Sequence, residues 1–105
     1  MEYTAVQLEK MIKNDDWRVR VEAAKYSYKL DVLANDEDCS VRIAVAEKGY
    51  ALEKLVNDKH WAVRLAVAER GYKLDMLVND EDWYVSLVAE EMLKKDRKKS
   101  KKNGV

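Results

Sequence analysis

A 22-residue register runs through this chain and constrains its fold more than any motif does. Val19, Val41, Val63 and Val85 stand 22 residues apart, as do Arg20, Arg42 and Arg64, with Ser86 at the fourth place. Tyr28, Tyr50 and Tyr72 keep the step, and so do Leu30, Leu52 and Leu74, Leu33, Leu55 and Leu77, and Asn35, Asn57 and Asn79. A period of this length marks stacked supersecondary units, each too small to bury its own apolar face.

The repeat Asp36 to Asn57 shows what each unit contains. Asp36 is placed to accept the free N–H groups of a following helical turn, and Glu37 and Asp38 put negative charge near the helix start. Cys39, Val41, Ile43, Ala44, Val45 and Ala46 then predict a nearly all-apolar helix. Gly49 closes it, because only glycine takes the left-handed closing conformation cheaply. Tyr50, Leu52, Leu55 and Val56 predict a second, shorter element, α or 3₁₀. The next copy repeats this with Gly71, whereas the first has Ser27 and should close less cleanly. Thr4-Ala5-Val6-Gln7 reads as a capping box for a lone first helix with Leu8, Met11 and Ile12 as its apolar stripe. Absence of proline and only three glycines suit such a helical chain.

The chain thus divides into a capping helix at 1–13, a repeat domain at 14–93 (units near 14–35, 36–57, 58–79 and 80–93) and a basic tail at 94–105, expected to be disordered. Twenty Lys/Arg balance twenty Asp/Glu, yet seven of those bases and one acid lie in the tail, leaving a body of net −6 and a tail of +6. No apolar run is long enough for a bilayer. No secretory leader is evident, and a lone cysteine forms no internal disulfide, which favours a cytoplasmic setting.

The strings Asp80-Glu81-Asp82-Trp83 and Trp61-Ala62-Val63-Arg64-Leu65-Ala66-Val67-Ala68, with the recurrent Asp36…Arg42 and Asp58…Arg64 spacing, resemble the leucine-rich repeat variant family of HEAT-like helical repeats. The resemblance covers residues 14 to 92. It implies an all-α, right-handed solenoid of about four repeats, each a long helix plus a short one, and leaves function open. Nothing in the chain matches the cysteine-rich cluster-binding segment of that family's founding member, so no cofactor is expected.

On a helical wheel Arg42 falls on the side facing neighbouring helices, where its guanidinium needs acceptors. The turn acids Asp36, Asp58 and Asp80 are the regular supply. Arg20, Arg42 and Arg64 are therefore read as a structural Asp–Arg ladder, with a ligand-binding stripe as the alternative. Trp17, Trp61 and Trp83 share a register place with Cys39 inside the apolar arc, which predicts core packing. His60 reads as a solvated surface residue and has no second metal ligand to join. There is no phosphate loop and no nucleophile with its base, so the chain is read as non-enzymatic.

Exposed positions vary from copy to copy, which nominates Lys59, Glu69, Arg70, Tyr84 and Glu91 as contacts for another protein. The chain is accordingly read as a protein–protein interaction module, a small scaffold or an inhibitor covering its partner. The alternative is nucleic-acid binding through Lys94, Lys95, Arg97, Lys98, Lys99, Lys101 and Lys102. That run has no aromatic residue for base stacking, and the acidic body opposes a phosphate-tracking groove.

Overall fold

The structure is a computed structural model; it describes the backbone of residues 2–103 and the side chains of residues 2–96. Among the described residues it is all-helical. The elements are α1 (Ala5–Met11), α2 (Trp17–Lys25), α3 (Leu30–Leu33), α4 (Cys39–Glu47), α5 (Leu52–Leu55), α6 (Trp61–Glu69), α7 (Leu74–Leu77) and α8 (Trp83–Asn103). Long and short helices alternate with the sequence register. The short ones are α rather than 3₁₀, since Leu33 N–H donates to Lys29 O and Ala34 N–H to Leu30 O, four residues back.

Each long helix begins two residues later than the turn acid suggests. The Asp16, Asp38 and His60 side chains cap α2, α4 and α6 by accepting from the second helical N–H. Asp36, Asp58 and Asp80 instead accept from the N–H two residues on, at 2.8–2.9 Å, and so shape the turn before the cap. Asn14 makes the same turn bond at 2.8 Å without a charge. At the other end of each long helix, Gly49 and Gly71 take φ of 75° and 78°. Ser27 takes φ of 58°, and its N–H and that of Tyr28 bond Ala24 O and Ala23 O as in the glycine copies. The first helix therefore closes with the same bonds, at the cost of a left-handed residue bearing a Cβ. Lys29, Ala51 and Lys73 form a second left-handed series at the entry to each short helix. The expected capping box of α1 is present, Thr4 and Gln7 exchanging both bonds.

Packing runs between neighbours. α2 touches α4, α4 touches α6 and α6 touches α8, while each short helix touches its own long helix and the next. The chain measures 51 × 31 × 19 Å. Val41, Val63 and Val85, Val45 and Val67, and Leu33, Leu55 and Leu77 are fully buried between the layers. Burying each such side chain stabilises by about 1.5–3 kcal/mol.

The last helix does not stop where the basic run begins. Its backbone continues as helix to Asn103. Lysine and arginine have good helix propensity and complement the negative C-terminal end of the helix dipole.

Candidate functional site

Two repeated sets of residues carry the candidates, and they meet different environments.

On the turn side, the ladder residues are brought together in three copies. Arg20 Nε and Nη2 donate to Asp36 at 2.8 and 3.1 Å, Arg42 to Asp58 and Arg64 to Asp80 at the same two distances. Each arginine reaches the acid of the following repeat, 16 residues on. Nη1 meanwhile bonds the backbone carbonyl six residues back (Asn14, Asp36 and Asp58) at 2.7 Å. The arginines are only 7–8% exposed. Burial by itself pushes the Asp58 carboxyl up, but the Arg42 fork and the His60 N–H outweigh it and hold the group below the usual carboxylate range. The same balance, with Arg64 and the Asp82 N–H, lowers Asp80. The hydrogen bonds that the arginines donate to Asp36, Asp58 and Asp80 raise the arginines in turn.

Open clefts lie between successive turns, lined by Arg42 and Asp58 with Lys54 and Lys59, and by Arg64 and Asp80 with Lys59 and Met76. A carboxylate already occupies each guanidinium fork, so the clefts offer no free bidentate donor to an anionic ligand. The stripe of arginines holds repeats together. Its ends fit that role. Asn14 offers Arg20 its backbone carbonyl and carries no charge, and Ser86, in the arginine's register place, donates to Val78 O at 2.6 Å.

The opposite outcome holds for the tryptophans. Trp17 and Trp61 are 43% and 42% exposed and Trp83 is 76% exposed, which corrects the expectation of core packing. The wheel gave their angle but not their depth. Each is the first residue of its helix, and each keeps two fifths or more of its surface exposed. Trp61 stacks on His60 (5.9 Å, 27°) and meets Tyr84 of the next repeat edge-on (6.3 Å, 69°). His60 is half-buried, and its Nδ1 accepts the Ala62 N–H at 3.1 Å. It is a helix cap in an aspartate's place rather than a freely solvated side chain. Cys39 is half-buried in the same row.

Of the nominated partner contacts, Tyr84 is half-exposed in this aromatic group and Lys59 lies in the turn that leads into it. Glu69 and Arg70 lie at the other end of α6, about 12–13 Å away by helical rise. Arg70 rests its guanidinium over Gly49, where a Cβ would stand 2.6 Å from Nη2. Glu91 pairs with Lys94 at 3.5 Å across one turn of α8. Lys94 and Lys95 are exposed. The side chains of Arg97, Lys98, Lys99, Lys101 and Lys102 lie outside the described residues.

One clamp had no signature in the register. Glu9 of α1 accepts from Tyr28 Oη at 2.8 Å and pairs with Lys29 at 2.7 Å and Lys13 at 3.5 Å. The Lys29 hydrogen bond, then that of Tyr28, lowers the Glu9 carboxyl to about 2. Among the described residues, no three His, Cys, Asp or Glu side chains cluster as metal ligands, and no helix is long and apolar enough to cross a membrane. Compared with known proteins, the chain matches no family model, no curated protein and no solved structure.

Proposed function

We propose that this chain is a non-catalytic protein-interaction module of the cytoplasm. In this reading it is a right-handed solenoid of leucine-rich repeat variant type. Packing confined to neighbouring repeats and an elongated body support that architecture. The observation that carries the function is the exposed aromatic row at the helix starts, with Trp61, Tyr84 and His60 at its centre. Aromatic side chains held by a rigid scaffold are what anchors of a protein interface require. Glutamates recur at 47, 69 and 91, one per repeat, eight residues along the same helices from the row.

Affinity capture from the native cell, at low and moderate salt, recovers a protein partner under this reading. Affinity for it falls at least about tenfold in Tyr84→Ala and in the pair Glu69→Lys, Glu91→Lys, with helical circular dichroism unchanged. Recovery of nucleic acid alone, lost when the lysines from 94 onward are neutralised, replaces this reading with the electrostatic one.

A further inference from the structure

Each long helix carries a stripe set by its first, fifth and ninth residues. On α4 these are Cys39, Ile43 and Glu47, and on α6 they are Trp61, Leu65 and Glu69. On α8 the same places hold Trp83, Leu87 and Glu91. Residues four apart are neighbours on a helix surface, and α4, α6 and α8 pack in series. The stripes therefore lie beside one another as three rows across the stack. Trp61 meeting Tyr84, the residue after Trp83, shows two of them in contact. The tryptophans of the first row are 42–76% exposed. In the second row Ile43 and Leu65 are half-buried and Leu87 is 36% exposed. Contiguous open apolar surface with a polar border is the mark of an interaction site.

The third row is not what folding asks for. Glu47 and Glu69 are the last residues of α4 and α6, where the negative end of the helix dipole opposes a carboxylate. The corresponding residue of α2 is Lys25, the charge that the dipole favours. Glu47 and Glu69 are exposed and enter no ion pair among the described residues, and exposed Glu91 has only Lys94 of its own helix, at 3.5 Å. One open carboxylate per repeat thus edges two apolar rows, and the body that carries them has a net charge of −6. Such an edge attracts cations at one-repeat intervals.

We infer that these rows on α4, α6 and α8 dock an amphipathic helix with a basic flank, laid across the long helices. The dimensions select that occupant. First and third rows stand about 12 Å apart along each helix, which is the width of an α-helix with its side chains. An extended segment, with about 4.8 Å to its neighbour in a sheet, is too narrow to cover both apolar rows and reach the acids. Packed helices repeat every 8–10 Å or so, and seven residues of an α-helix advance about 10.5 Å. Apolar residues at steps of three and four then rest on the first two rows. Lys or Arg at every seventh place meets Glu47, Glu69 and Glu91 in turn. This rests on the protein-binding reading above and names the chemistry of the partner.

Fluorescence anisotropy of labelled synthetic peptides, titrated with the full chain, tests it. The basic probe has about 21 residues, ~31 Å as a helix, with leucine at steps of three and four, lysine at every seventh place on one flank and glutamine elsewhere. A second probe carries glutamate in the lysine places, and a third scrambles the basic one. The basic probe binds, more weakly as salt rises, and the other two bind at least about tenfold less tightly. Trp83→Ala weakens the basic probe at least about tenfold. Glu47→Lys with Glu69→Lys inverts the preference, so that the glutamate probe becomes the tighter ligand. Circular dichroism confirms that each variant keeps its helices. Absence of binding, a scrambled probe as tight as the patterned one, or a preference that the charge reversal leaves unchanged overturns the inference. If any of these occurs while Tyr84→Ala still loses the captured protein, the binding reading stands and its partner is not a basic helix.

Discussion

The turn side and the helix-start side of this stack invert the usual expectation for their residue types. Arg20, Arg42 and Arg64 are buried to within 7–8% of their surface, while Trp17, Trp61 and Trp83 are 42–76% exposed. Both sets keep a 22-residue step with little variation. A repeated position is therefore a repeated environment, but the residue type alone does not say which. What separates them is the acceptors within reach. Each arginine finds a carboxylate on the next repeat and a carbonyl on its own, whereas each tryptophan starts its helix and has at most one ring of the next repeat beside it.

The contrast breaks most visibly at the ladder. Arg42→Ala leaves Asp58 buried without its guanidinium and costs about 2–4 kcal/mol in urea unfolding. Trp61→Ala, which removes a far larger apolar side chain, costs only about 1 kcal/mol, against about 3–5 for a fully buried aromatic. A reversed order would mean that the tryptophans carry the core after all.

Acid sharpens the same comparison. Asp58 and Asp80 lie below the usual carboxylate range, and Glu9 is held at about 2. Groups with depressed folded values stabilise fully above their unfolded value near 4, and that contribution is lost as pH falls through the folded value. Urea midpoints should accordingly stay level from pH 7 to about 5, then drop steeply towards pH 2. In Asp58→Asn with Asp80→Asn the neutral-pH midpoint falls and the acid slope flattens.

The smallest effect belongs to the turns. Ser27→Gly relieves a left-handed residue bearing a Cβ at φ 58° and stabilises by about 0.5–1 kcal/mol, after the entropy of glycine is offset. A destabilising outcome would show that the Ser27 side chain supports the turn in a way its glycine counterparts do not need.

Much of this was legible in the sequence. The period, the alternation of long and short helices, the capping box at Thr4 and the closing glycines follow from local chemistry. The Asp–Arg ladder was legible because a buried guanidinium demands acceptors and only one regular series supplied them. Three things were not. The aspartate at 36 looked like the cap, but its arginine partner fixes it in the turn and leaves capping to Asp38. A wheel projects away depth, so the helix-start tryptophans passed for core. The Glu9–Tyr28–Lys29 clamp joins the one non-repeating helix to the stack, and a register cannot report a contact that occurs once.

A double-mutant cycle on Arg64 and Asp80, read by urea unfolding at pH 7, tests the ladder most directly. Arg64→Ala and Asp80→Ala should each be strongly destabilising, and the double variant should cost little more than either alone. The coupling energy is then about 2–3 kcal/mol. Additive effects, with coupling below about 0.5 kcal/mol, would mean that the buried arginines do not hold the repeats together through these acids, and the account would fail at its centre.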